Sequence, residues 1–250
     1  MRIDGLHLAF LDIPAEYTQE YNRWYDLDHM PEHVSKPDVV MGRRYVATKS
    51  TRTLPMVQPG ERFGGHPPYL TIYFFGGPLD MMSEEARQGW RTMDHGIVKQ
   101  GRYWMQGHGT GGVMVRVGRS FARPDCHVGE EAIAHLNHRS VIIAYGKPPS
   151  PEQRDDAIAW WDAVHLPDLF AVPGVLGALR ADPIGQDDDD IVHVLLCTDP
   201  AEDVMPRIES ALRYQGAQGR WPPYGGVYEP LAFVPYDRIV PLEYDFDIGD

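Results

Sequence analysis

The feature that most constrains this chain is an internal duplication. Trp24–Tyr45 (WYDLDHMPEHVSKPDVVMGRRY) lies over Trp160–Ala181 (WWDAVHLPDLFAVPGVLGALRA) at a constant shift of 136 residues and without a gap. Trp24 meets Trp160, Asp26 meets Asp162, His29 meets His165, Pro31 meets Pro167, Pro37 meets Pro173, Val39 meets Val175 and Arg44 meets Arg180. A chain that carries one unit twice builds two similar substructures, so the 250 residues divide into a first unit, 1–120, a linker, 121–138, and a second unit, 139–250, that ends in an acidic tail.

Each unit reads as strand, helix, strand, strand, helix, strand. The opening strands are the apolar runs Leu6–Ile13 and Ile142–Pro149. In the helix that follows, Tyr17, Tyr21, Trp24 and Tyr25 recur at helical spacing and trace one aromatic stripe. Both helices are expected to end near His-x-Pro, because proline disfavours helical geometry in the residue before it. Second strands at Val39–Thr48 and Val175–Asp182 and third strands at Tyr69–Phe75 and Ile191–Cys197 come next. Second helices at Leu79–Met93 and Ala201–Tyr214 precede closing strands that follow a shared Gly-Gly-Val. This order is the split β-α-β-β-α-β plan, which makes the fold class α+β with two ferredoxin-like repeats. The stretch Ser50–Pro68, rich in proline and glycine, makes the loop before the third strand 14 residues longer in the first unit, and a loop of that kind suits a lid or binding loop.

Composition narrows the function. With a net charge of −13 and no basic patch, the chain would repel a phosphate backbone, so nucleic acid is not an expected partner. No apolar run is long enough to span a bilayer and no secretion signal opens the chain, so a cytoplasmic location is expected. Cys126 and Cys197 lack the spacing of a disulfide framework or thiolate site. The run Asp187–Asp190 reads as a solvated turn. No HExxH, phosphate loop or dinucleotide fingerprint occurs, and Pro31 between His29 and His33 is expected to break the helix that would pair them on a metal. Neither metal nor cofactor is expected.

The differences between the copies point to chemistry. Asp28 faces Val164, His33 faces Leu169, Arg43 faces Leu179, Tyr45 faces Ala181 and His7 faces Ile143, each change making the second unit less polar. The first unit is therefore the expected working half. Asp26 and His29 are three apart on a helix, where a carboxylate can fix the tautomer of an imidazole and raise its basicity. The catalytic set expected from this is His29 and Asp26, with Arg43 to hold a carboxylate, Tyr45 to stabilise developing charge and His95 as a second acid–base group. Tyr25, Asp28, His33, Tyr69, Tyr73, Tyr103, Trp104 and His108 complete a pocket for a planar substrate.

Together, the helix ending in W-x-D-x-x-H-x-P, the Pro-Gly-Val-like turn and the strand MGRRY resemble the dimeric α+β barrel superfamily, and within it the EthD-like group. The resemblance implies two ferredoxin-like units whose antiparallel sheets pair into a barrel, here fused in one chain, with a homodimer as a further possibility. It implies a cofactor-independent lyase or isomerase of decarboxylase, dehydratase or cyclase type, acting on a small aromatic or polyketide-like molecule. The same superfamily holds quinol-forming monooxygenases and haem enzymes, and a non-catalytic small-molecule binding protein is the alternative outside enzymes.

Overall fold

Strand pairing closes the molecule on itself. In the computed structural model, which describes residues 2–36, 38–54, 65–76, 88, 90, 99–102, 104, 108–148, 150–183, 191–220 and 229–249, eight antiparallel strands form a closed barrel. They are β1 (Gly5–Asp12), β2 (Val39–Val46), β3 (Tyr69–Phe75), β4 (His108–Ala122), β5 (Ser140–Lys147), β6 (Val175–Pro183), β7 (Ile191–Cys197) and β8 (Glu229–Arg238). The order around the barrel is β1-β3-β2-β8-β5-β7-β6-β4. Each half thus contributes the ferredoxin-like sheet, β4-β1-β3-β2 or β8-β5-β7-β6, and the halves join along two seams. At the β4–β6 seam seven residue pairs run from Val115 opposite Pro183 to Ala122 opposite Gly177. At the β2–β8 seam only Tyr45 opposite Arg238 and Val46 opposite Asp237 pair.

Alternation along the strands divides the side chains between two environments. Leu6, Leu8, Phe10, Tyr45, Leu70, Ile72 and Phe74 point into the barrel with Val141, Ile143, Leu179, Val194 and Val234 of the other half, forming one shared core. Residues of opposite parity point outward and are covered by helices: Tyr69 packs with Tyr21 and Tyr25 in the first half, and Ile142 and Leu195 with Trp161 and Leu169 in the second. The pairing register also corrects the alignment of the opening strands. Ala9 lies opposite Thr71 and Ala144 opposite His193, so the repeat offset along this strand is one residue smaller and the counterpart of His7 is Ile142, not Ile143.

The helix does not stop at His-x-Pro. It runs as α1 (Thr18–Trp24), a π-helical turn (Tyr25–His29) and α2 (Met30–Val34), and the second half repeats this as α4 (Arg154–Trp160), a π turn (Trp161–His165) and α5 (Leu166–Phe170), after the short α3 (Lys49–Arg52). In the wide turn the Met30 N–H bonds the Tyr25 carbonyl. The hydrogen-bond ladder therefore slips by one residue just where Pro31, which has no N–H to give, enters the next turn. The chain continues helical and His29 and His33 stay on one face. α6 (Ala201–Ala217) covers the second half. The expected first-half partner, Leu79–Met93, lies outside the described residues apart from Gln88 and Trp90, as do most of the Ser50–Pro68 loop and the Asp187–Asp190 turn.

Two segments outside the repeat bind the halves together. A 3₁₀ turn of the linker, Glu130–His135, inserts Ile133 and Ala134 into the barrel core. After β8 the chain returns across the first half, burying Ile239, Tyr244 and Ile248 against Tyr21, Tyr25 and Tyr69.

Candidate functional site

On the outer face of the first-half sheet, the π turn and α2 bring Tyr25, His29 and His33 over β1 and β3. The His29 and His33 rings lie 4.1 Å apart, and Trp24 and Tyr25 each approach His29 at 4.7 Å. His33 meets Tyr73 at 5.3 Å and Trp90 at 4.7 Å. His7 of β1 closes the group, 6.1 Å from Tyr73 and 5.8 Å from Trp90. The result is a cluster of imidazoles walled by indoles and phenols. Gly112 of β4 makes room for it: a Cβ there would fall 2.2 Å from His7 Nε2.

Hydrogen bonds fix part of the chemistry. His33 Nδ1 lies 2.9 Å from the His29 carbonyl, which can only accept, so Nδ1 carries the proton. The Tyr25 and Tyr73 hydroxyls share a 2.9 Å bond. Burial, reinforced by Tyr25, pushes the Tyr73 phenol well above its usual value, so it stays neutral. Tyr69 is likewise raised by burial and is held by Thr18 and Asn22 deeper in the packing.

Several expected site residues serve other ends. Asp26 does not orient His29. Its Oδ1 accepts from Arg44 at 2.8 Å, and its Oδ2 accepts from Tyr244 Oη at 2.5 Å and Leu242 N at 3.2 Å. The second copy repeats the pair as Asp162 and Arg180 at 2.7 Å, which makes this bridge architecture. Asp28 forms a two-pronged pair with Arg102 at 2.7 and 3.2 Å, while Trp24 Nε1 donates to the Arg102 carbonyl at 2.7 Å. In the second half Asp168 grips Arg220 in the same way, at 2.8 and 3.1 Å, under Trp160. Asp168 stands at the position of Glu32, which also pairs with Arg102 at 3.3 Å, so the copy keeps the second of the two acids that grip this arginine.

Arg43 and Tyr45 are on the wrong side of the sheet to act with His29. They point into the barrel, opposite Ile72 and Leu70. Arg43 donates to the carbonyls of Leu136 at 3.1 Å and His135 at 3.3 Å and lies 2.9 Å from His138 Nδ1; Tyr45 Oη lies 2.7 Å from His138 Nε2. Burial, followed by the Arg43 charge, holds His138 down to about 3, so it stays neutral. Burial also raises Tyr45 and lowers Arg43. This array staples the linker into the barrel mouth. Trp104 packs on Trp24 at 5.9 Å and Tyr21 at 5.8 Å, at the edge of the cluster. His108 begins β4, with its side chain outside the described residues, and His95 and Tyr103 lie wholly outside them.

Sequence reasoning named His7 only as a difference between the copies and gave Trp90 no role; strand parity could have found the first, since His7 shares its face with Ala9 opposite Thr71. The second half holds two histidines in the corresponding space: His165, fully buried, stacks on Trp160 at 4.9 Å and hydrogen-bonds Gln215 at 3.0 Å, and His193, also fully buried, stacks on Trp161 at 4.2 Å. Among the described residues no group of three or more ligating side chains could hold a metal ion, and no helix is long and apolar enough to cross a membrane.

No family model and no curated protein matches the chain. Solved structures do. An anthrone oxidase-like protein superposes with a TM-score of 0.53 at 9% identity, over 96% of this chain and 92% of that one. A dye-decolorizing peroxidase from Bacteroides thetaiotaomicron gives 0.58 at 8% identity, over 95% and 93%. A candidate monooxygenase from Fusobacterium nucleatum gives 0.51 at 10%, over 96% and 93%. At these identities the likeness is one of fold, and the fold is the α+β barrel of two ferredoxin-like halves that these monooxygenase-like and peroxidase structures share.

Proposed function

We propose that the first-half cluster is the active site of an oxidase or monooxygenase acting on an electron-rich aromatic substrate such as an anthrone or aromatic diol. The observation that carries this is the enclosure of His7, His29 and His33 by Trp24, Tyr25, Tyr73 and Trp90, where the second half has His165 and His193 against Trp160 and Trp161 and, among the described residues, no tyrosine pair. Aromatic walls suit a planar ligand, and a positioned imidazole suits removal of a phenolic or activated C–H proton. The resulting anion is the electron-rich species with which dioxygen reacts. The decarboxylase-type reading loses its carboxylate anchor, because Arg43 lies inside the barrel. The fold neighbours include oxidase-like and monooxygenase-like proteins, which supports the oxidative class.

Haem is the competing reading, since a peroxidase shares the fold. The described packing does not fit it: His165 is held between Trp160 and Trp161 at 4.9 and 4.3 Å, and His29 and His33 are 8% and 2% exposed. Oxygen uptake with anthrone and with aromatic diols tests the proposal. Replacing His33 by leucine, the residue of the second copy, is expected to lower kcat/KM by about 10²–10⁴-fold. Unchanged uptake in His33→Leu and His29→Ala would overturn it. Ligand-induced stabilisation without turnover would leave a binding protein, and a visible haem spectrum would restore the peroxidase-like reading.

A further inference from the structure

We propose that a cleft at the barrel mouth, on the opposite side of the sheet from the histidine cluster, is a second binding site that takes a small organic carboxylate. The cleft has a volume of about 820 Å³, the size of a small-molecule pocket, and Asn137, His138, Arg139 and Arg238 line it. Arg43 lies directly behind His138, 2.9 Å from its Nδ1 and only 9% exposed.

What distinguishes this place is a gathering of guanidiniums, one of which, Arg139, acts through space on the Asp199 and Asp237 carboxylates. The chain carries a net charge of −13, yet three guanidiniums gather here and none forms an ion pair with a described residue. The acceptors of Arg43 are the carbonyls of Leu136 and His135 and the His138 ring, all neutral. Arg238 makes one long side-chain bond, 3.4 Å to Asn137 Oδ1, and its charge reaches Arg43, Tyr45 and His138. The Arg139 side chain, exposed at the rim, hydrogen-bonds no described residue. A carboxylate seated against the accessible Arg139 and Arg238 would receive two-pronged hydrogen bonds from their guanidiniums.

The acids beside the cleft leave this opening. Asp237 spends Oδ1 on Ala201 N at 2.8 Å, capping α6, and accepts a 3.5 Å contact from Thr51 at Oδ2. Glu202 is exposed and accepts from Ser50 at 3.4 Å, turning away toward α3. The Asn137 amide supplies a further donor, while both His138 nitrogens are engaged with Arg43, Leu136 and Tyr45. The ligand is thus held by guanidinium and amide donors alone.

Isothermal titration with succinate and, separately, with inorganic phosphate tests this on the full chain and on Arg139→Gln and Arg238→Gln, both surface changes expected to leave the melting temperature nearly unaltered. Succinate is expected to bind the wild-type protein with a Kd below about 1 mM and at least about tenfold more weakly to either variant. Aromatic-ligand binding at the histidine cluster should be the same in all three proteins, which separates this site from the proposed active site. No succinate binding, equal binding in the variants, or binding of phosphate alone would each overturn the proposal.

Discussion

The two halves share a frame and differ in what it encloses. Both contain the π turn, a tryptophan stacked on its histidine, and an aspartate bridged to the arginine of the second strand. Their surroundings diverge. Asp26 has both oxygens engaged because the C-terminal tail supplies Tyr244 Oη and Leu242 N, whereas Asp162 Oδ1 is buried and unmatched. Leu242 adopts a φ of +67° in presenting that N–H, a conformation costly for a residue with a Cβ. In the space between helix and sheet, His7, His33, Tyr25 and Tyr73 stand where the second half has Ile142, Leu169, Trp161 and Leu195. The comparison teaches that the π turn and the aspartate–arginine bridge, kept in both copies, are scaffold, and that unshared residues have two origins: docking of segments that were never duplicated, and the surroundings of the proposed aromatic site.

The sharpest way to break this comparison is at the shared bridge. Arg44→Leu would leave Asp26, whose side chain is 9% exposed, without its buried cation, and should cost about 3–5 kcal/mol in urea unfolding. Arg180→Leu, at a bridge 15% and 17% exposed, should cost less, about 1–3 kcal/mol. Equal losses would show that the tail adds nothing to the first-half bridge.

Acid should sharpen the contrast next. Burial holds His165 down to about 4, so the folded protein keeps it neutral while the unfolded chain takes up a proton below about 6.5. Stability from this residue is complete above that value and is lost as pH falls toward 4, by about 3 kcal/mol. His66, also held near 4, and His138, near 3, act in the same direction. Denaturant midpoints from pH 7 to 4 should fall less steeply in His165→Phe than in the wild-type protein; identical slopes would place the acid sensitivity elsewhere.

Smaller effects separate docking from chemistry. Gly112→Ala sets a methyl against His7 Nε2 and should displace that ring, at about 1–3 kcal/mol, with a larger loss in turnover of an aromatic substrate than in stability. Tyr45→Phe deletes the bond to His138 and should cost about 1 kcal/mol while leaving kcat/KM unchanged. A Tyr45→Phe enzyme with normal stability but impaired turnover would return the barrel interior to the active site.

Much of the fold was legible because a duplication and a strand period leave marks in the letters. Tyr69–Phe75 and Ile191–Cys197 are strands over their full expected lengths, and the opposite parity of Arg43 and Arg44 already implied that they part company across the sheet. That parity, followed through, would have removed Arg43 and Tyr45 from the His29 pocket. The partners of those residues were not legible. Asp26 meets a tail 216 residues away, and Arg43 meets linker carbonyls whose positions depend on barrel closure. Nor did a proline rule foresee the π turn, since a one-residue slip of the ladder satisfies the helix without leaving any compositional sign.

Two identical subunits around a twofold axis would meet along identical borders. This chain does not: one border zips for seven residue pairs and the other for two. Tethering both units in one polypeptide released the borders from equivalence, so the long one can act as a spine while the short one, beside the linker plug, is the place where the cylinder yields first. Opening there parts few main-chain bonds, and amide exchange at Val46 should outpace that at Phe121. Fusion gave the molecule a front and a back that no symmetric pair could own.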